Sequence, residues 1–135
     1  MNNMHLPRRK FIAASIASLA SASVLSGEMK TQQNRLVHNV YFWLNNPHSD
    51  EDRQALINGL KTLKRIPSVK SLHIGLPANT ENRDVVDNSF SVSEIMYFDD
   101  VAGQNEYQAH PIHKAFVEKH AKLWKKVVVH DSILV

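Results

Sequence analysis

The sequence predicts an α+β fold, with a four-stranded antiparallel sheet and helices on one face, in the split βαβ, ferredoxin-like order β-α-β-β-(α-α)-β. Three observations carry that expectation. Residues 36 to 44 (LVHNVYFWL) and 90 to 98 (FSVSEIMYF) alternate between two faces with the two-residue repeat of a strand. Leu56, Leu60 and Leu63 recur between them at helical spacing. Val127-Val128-Val129, after two further helical segments, supplies a fourth strand near the end of the chain.

Taken in order, Leu36 to Leu44 places His38, Val40, Phe42 and Leu44 on one face and Val37, Asn39, Tyr41 and Trp43 on the other. Asn45-Asn46-Pro47 breaks the strand. Ser49 then begins a helix, with Asp52 as the short-armed partner of a capping box and Asp50 and Glu51 in the first turn, where the helix dipole favours acids. Pro67 ends this segment, and Val69 to Leu76 forms a second strand closed by Gly75 and Pro77. Ala78 to Asn88 is a polar, charged loop and a candidate flap. Phe90 to Phe98 is the third strand, with the carboxylate of Glu94 on a face otherwise made of Phe90, Val92, Met96 and Phe98. Asp99-Asp100 opens a short helix reaching Glu106 or Tyr107, and Ile112 to Trp124 forms a longer one with a stripe of Phe116, Val117, His120, Leu123 and Trp124. Lys125 to Leu134 is the last strand. Phe42, Val92 and Met96 are more apolar surface than two helices are expected to hide, so the sheet face should be buried by a second copy in a homodimer.

Composition narrows the chemistry. The chain has 135 residues, and a hydrophobic fraction of 43% with 21% charged residues excludes a disordered chain and a polytopic membrane protein. The lack of cysteine excludes disulfides, thiolate metal sites and cysteine nucleophiles. The formal charge of +3 comes from one place: Arg8, Arg9 and Lys10 precede Phe11 to Leu25, fifteen uncharged residues, in the manner of a signal peptide. That stretch falls short of the roughly 20 apolar residues of a transmembrane helix. The paired arginines before Lys10-Phe11-Ile12 resemble the twin-arginine export signal, although Pro7 and Ala13 depart from its fuller pattern. The competing reading, an amphipathic helix belonging to the fold, lacks a polar stripe at helical spacing.

Ala20-Ser21-Ala22 offers a cleavage site, so residues 1–22 read as the signal, 23–35 as a flexible linker and 36–135 as the domain of a periplasmic protein. Removing the signal leaves thirteen bases against thirteen acids. A neutral domain whose lysines at 122, 125 and 126 form only a local run has no electrostatic bias toward nucleic acid, nor toward membrane once the signal is gone.

The densest chemistry is Tyr107-Gln108-Ala109-His110-Pro111-Ile112-His113, followed by Phe116 and His120. Pro111 suits the first turn of a helix and places His113 one turn beyond His110. Unpaired N–H groups at a helix start lower a nearby imidazole's proton affinity. The run YQAHPIHKAF, with LVHNVYFWL, IPSVKSLHIG and the closing VVVHDS, resembles the Dabb family of stress-responsive dimeric α/β-barrel proteins over residues 36–134. The resemblance implies a protomer whose sheet pairs with a partner's sheet to close a barrel, and a cofactor-independent, metal-independent site of the polyketide-cyclase kind. There Tyr107 would hold a substrate carbonyl and stabilise the developing enolate, and His113 would take the α-proton. His38, with His110 and Phe116, would contact a small apolar or carbonyl-containing ligand. The chain departs from cyclase-like members in having Ser91, Val92 and Ser93 where a further histidine can stand.

Other readings stay open. Tyr107 could order the helix corner, His110 could cap the following helix, and His38 could be a satisfied core group. His110, His113 and His120 with Asp99, Asp100 and Glu106 could hold a divalent ion, although Pro111 bends the backbone between the first two imidazoles. A haem or other hydrophobic ligand between sheet and helices, and a non-enzymatic binding dimer, complete the alternatives.

Overall fold

Strand β1 (Leu36–Leu44) runs down the middle of a four-stranded sheet in the computed structural model, which describes residues 35–135; the signal, its cleavage site and nearly all of the linker lie outside the described residues. The sheet order is β2 (Ser71–Gly75), β3 (Val92–Phe98), β1, β4 (Trp124–Ile133), with every neighbouring pair antiparallel. Helices α1 (Asp50–Thr62), α2 (Val101–Ala109) and α3 (Pro111–His120) lie together on one face. This is the expected ferredoxin-like order.

The pairing register decides the faces. Val40 lies opposite Glu94 and Val129, and Phe42 opposite Val92 and Val127, so these residues point to the helix side together. Phe42, Val92 and Met96 are therefore fully covered within one protomer by Leu56, Leu60, Leu63 and Phe116. The expectation that they need a second copy is corrected: the face left open carries the half-buried Tyr41, Trp43, Ile95, Tyr97 and Val128 instead.

Local signals explain most boundaries. Ser49 Oγ accepts the Asp52 N–H at 3.1 Å and starts α1. The reciprocal arm of the capping box does not form, because Asp52 accepts from Asn46 Nδ2 at 3.0 Å while the Ser49 N–H donates to Asn46 O. Asp100 caps α2 by accepting the Gly103 N–H at 2.8 Å, and α2 continues to Ala109, past the expected end. The segment expected as a helix from Ile112 to Trp124 is shorter: α3 stops at His120, residues Ala121–Leu123 form a 3₁₀ turn, and Trp124 opens β4. Aromatic packing accounts for this, since the Trp124 ring meets Phe42 at 5.1 Å and Phe116 at 5.9 Å and ties the strand's first residue to the core. Strands β2 and β3 are also shorter than expected, because Val69 closes a turn onto Ile66 O and Phe90 leaves the ladder to pack on Tyr41 at 5.1 Å.

Helix α1 crosses α3 closely at Gly59. A methyl group there would sit 2.7 Å from Cε1 and Nε2 of His120, whose ring is stacked 5.2 Å from Phe116 and bonded through Nδ1–H to Phe116 O at 3.0 Å. Overpacking costs about 1–3 kcal/mol, against a propensity gain of roughly 1 kcal/mol for replacing a helical glycine. Gly59→Ala is thus expected to lose about 1 kcal/mol of stability in urea unfolding, and adding His120→Ala to recover it. An unshifted midpoint for the single variant would show that the ring moves aside freely.

Candidate functional site

The sharp corner between α2 and α3 builds the site. His110 has extended backbone (φ −68°, ψ 140°), as the residue before a proline prefers, and Pro111 begins α3 where no N–H is needed. The His110 Nδ1 accepts the Ile112 N–H at 3.1 Å. That imidazole is a helix cap and does not line the cavity described below, which corrects its placement among the ligand contacts. One turn on, the chain returns His113 over Tyr107, with ring centroids 4.6 Å apart.

Tyr107 and His113 form one wall of a cavity of about 310 Å³ between sheet and helices. Strand β1 contributes His38, Val40 and Phe42, β3 contributes Glu94, α3 adds Phe116 and Val117, and β4 closes it with Trp124, Val127 and Val129. The volume is at the small end of ligand pockets, and the lining is mostly apolar with a few polar groups, as such pockets are. Tyr107, His113, His38 and Phe116 are thus brought together. His120 is not: it lines a separate groove with Thr62, Arg65 and Pro111. The loop Ala78–Asn88 contributes nothing to this cavity; Asp87 and Asn88 instead border a larger concavity of about 650 Å³ on the open sheet face, with Tyr41, Trp43, Lys126 and His130. As a candidate flap, that loop lies beside the open sheet face and not beside His38 and His113.

Hydrogen bonding sets the state of both imidazoles. His38 is buried, and its Nδ1–H donates to Asp131 Oδ1 at 2.6 Å across the β1–β4 pair. His113 Nδ1–H donates to Gln108 O at 3.2 Å. A carboxylate and a carbonyl can only accept, so in each ring Nδ1 carries a proton and Nε2 is the nitrogen left without that partner. Burial lowers the proton affinity of His113, the Gln108 carbonyl opposes this in part, and nearby His38 lowers it further. His113 is therefore a neutral imidazole with a free basic nitrogen at neutral pH. Burial raises the Tyr107 phenol well above its ordinary value, and Glu94 adds to the effect, so Tyr107 keeps its proton and acts as a hydrogen-bond donor.

Glu94 is the group that reasoning from sequence left without a role. Strand alternation puts it on the helix side, and an acid among Val92, Met96 and Phe98 was the available signal. It is 2% exposed, its Oε1 has no hydrogen-bond partner, and burial pushes its carboxyl up to about 8. Among the described residues no three His, Asp or Glu side chains lie close enough together to hold a metal ion. His110, His113 and His120 face three different surroundings.

The model of the stress responsive A/B barrel domain, Dabb, matches residues 36–134. A Dabb protein with a ferredoxin-like fold from Mesorhizobium loti superposes with a TM-score of 0.62 at 27% identity, covering 76% of this chain and 99% of that one. Hydroxynitrile lyase from Passiflora edulis matches at TM-score 0.65 and 20% identity, covering 76% and 95%. A dimeric ferredoxin-like protein of unknown function from Thermobifida fusca matches at 0.60 and 21%, covering 74% and 91%. At these identities the latter two speak for the fold. No curated protein matches the chain significantly.

The buried acid has a thermodynamic signature. Glu94 rises from 4.5 to about 8 on folding, so between those values the folded chain holds a proton that the unfolded chain has lost, and stability falls as pH rises through this window. Glu94→Gln is expected to remove that slope, with a difference from wild type that grows from pH 5 to pH 8 to on the order of 4 kcal/mol. Chemical unfolding across that range measures it, and parallel curves for the two proteins would contradict a neutral buried acid.

Proposed function

The chain belongs to the Dabb family of stress responsive A/B barrel domains, and from that premise we propose that it is a cofactor-independent acid-base protein acting on a small carbonyl compound. The observation that carries this reading is the convergence of a neutral, Nε2-basic His113 and a donor Tyr107 on one small apolar cavity. The ligand's carbonyl oxygen accepts from the Tyr107 hydroxyl, and His113 Nε2 removes a proton from the adjacent carbon. His38, held by Asp131, borders the same space, and Phe116 and Trp124 supply apolar wall. A hydroxynitrile lyase is among the proteins that share this fold at low identity, so the fold is compatible with an enzyme.

The proposal extends to assembly and location. Two copies pair through the open sheet face, where Tyr41, Trp43, Ile95, Tyr97 and Val128 offer an apolar patch, in keeping with the dimers named among the solved neighbours. Residues 1–22 direct export, so the domain works in the periplasm.

Two experiments test this. Incubating the protein with acetophenone in D₂O and following the methyl signal by NMR should show catalysed α-deuteration. That rate should fall about 10²-fold or more in His113→Ala and in Tyr107→Phe; no exchange by wild type would favour simple ligand binding. Sedimentation should give twice the protomer mass, and Ile95→Glu, at the centre of the open face, should give the protomer. A wild-type particle of protomer mass at micromolar concentration would overturn the dimer.

A further inference from the structure

A buried carboxyl group with no partner is costly to keep, and the cavity's chemistry as described makes no use of it. Glu94 is 2% exposed, its Oε1 is unbonded, and it borders the cavity that His113, Tyr107 and His38 also border. Among the described residues no cation pairs with it. On its own face its strand neighbours are Val40 on β1 and Ile74 on β2. The titratable groups around the same cavity are His38 on β1, Tyr107 on α2 and His113 on α3, with Asp131 of β4 bonded to His38. A core would be better filled there by Met or Leu, since leaving a buried polar atom unsatisfied is destabilising. We propose that Glu94 is the cavity's general acid, an unpartnered carboxylic acid that awaits the oxygen atom of a bound carbonyl ligand.

This rests on the acid-base reading above and divides its labour. Tyr107, which holds its proton too tightly to release it, orients the carbonyl oxygen by a hydrogen bond. In the forward step His113 Nε2 takes the α-proton, the C–H electron pair becomes the new C=C bond, the carbonyl π pair moves onto oxygen, and the Glu94 proton passes to that oxygen. The products are a neutral enol, an imidazolium and a carboxylate. The last two attract each other in an apolar site, which offsets the charge separation. Reversal returns a proton from His113 to carbon and the enol proton to Glu94, so nothing is consumed. Environments that raise the acid and lower the base are the pattern by which one cavity runs both halves of a proton transfer. The ligand class follows: a neutral ketone or aldehyde whose oxygen meets Glu94, with its apolar part against Phe116 and Val129.

The full-length domain carrying Glu94→Gln, which keeps a donor but has no acidic proton, and Glu94→Met, which keeps only volume, distinguishes the possibilities. At pH 7 the infrared difference spectrum of wild type minus Glu94→Met should show a protonated carboxyl band, and Glu94→Met should melt at a higher temperature than wild type. The band's absence, or a lower melting temperature, would overturn the proposal by showing an ionised or structurally bonded group. With acetophenone in D₂O, both variants should lose α-deuteration about 10²-fold while remaining folded. Exchange at the wild-type rate in Glu94→Gln, with His113→Ala inactive, removes Glu94 from the reaction and leaves the acid-base reading standing. If wild type exchanges nothing, that reading fails alone, and carbonyl-¹³C acetophenone decides for Glu94. Its C=O stretch should move to lower frequency on binding wild type but not Glu94→Met, and an equal position in both would overturn it.

Discussion

Strand β1 hydrogen-bonds to β3 along one edge and β4 along the other, and this double pairing decides which side chains lie beneath the helices. A strand's faces alternate at every residue, so a slip by one position would exchange them completely. In the observed register His38 faces inward opposite Asp131, and Val40 lies opposite Glu94. The polar groups that the strands give the cavity and the apolar groups of the core are thus placed by the same ladder. The Leu56, Leu60, Phe42 and Val92 packing that makes the register costly to lose also secures the geometry of the site.

The burial of the cavity's titratable groups has two opposed effects. Burial lowers the proton affinity of His113 and raises that of Glu94, and it strengthens any hydrogen bond formed inside. It also withholds the solvation that an unbonded carboxyl would otherwise enjoy, which weakens the fold. Tyr107 takes part on both sides: its ring is core, against Phe98 at 5.3 Å and His38 at 5.7 Å, and the same residue lines the cavity. Stability and chemistry therefore draw on the same few side chains.

Much of this was legible in the chain. Alternation along 36–44 and 90–98 and the leucines of α1 led directly to the sheet and its helix layer, because periodicity records which side of an element is buried. Tyr107 and His113 stood out by chemistry and spacing. What spacing could not convey was direction in three dimensions. His110 is three residues from His113, but it precedes the helix and spends its lone pair on the Ile112 N–H. His120 shares the face of His113 yet lies about 10 Å along the axis, where it meets Gly59. Phe42, Val92 and Met96 were legible as apolar but not as covered, since their cover comes from Leu56, Leu60, Leu63 and Phe116, whose approach is set by the tertiary packing. Glu94 was visible as an odd acid on an apolar face; the lack of any partner for it is a property of neighbours distant in sequence.

The break at His110 and Pro111 divides the site between two helices, with Tyr107 in the last turn of one and His113 in the first turn of the next. Their relative orientation is counted out by backbone residues. One residue added or deleted between Tyr107 and His113 would turn the imidazole by about 100° about its helix axis, carrying it off the phenol whatever side chains were chosen. The stretch from Leu76 to Ser91, which touches neither helix corner nor cavity, imposes no such count. Across related chains that keep this tyrosine and histidine, the spacing between them should therefore not change in length, while the β2–β3 connection is free to vary in both length and letters.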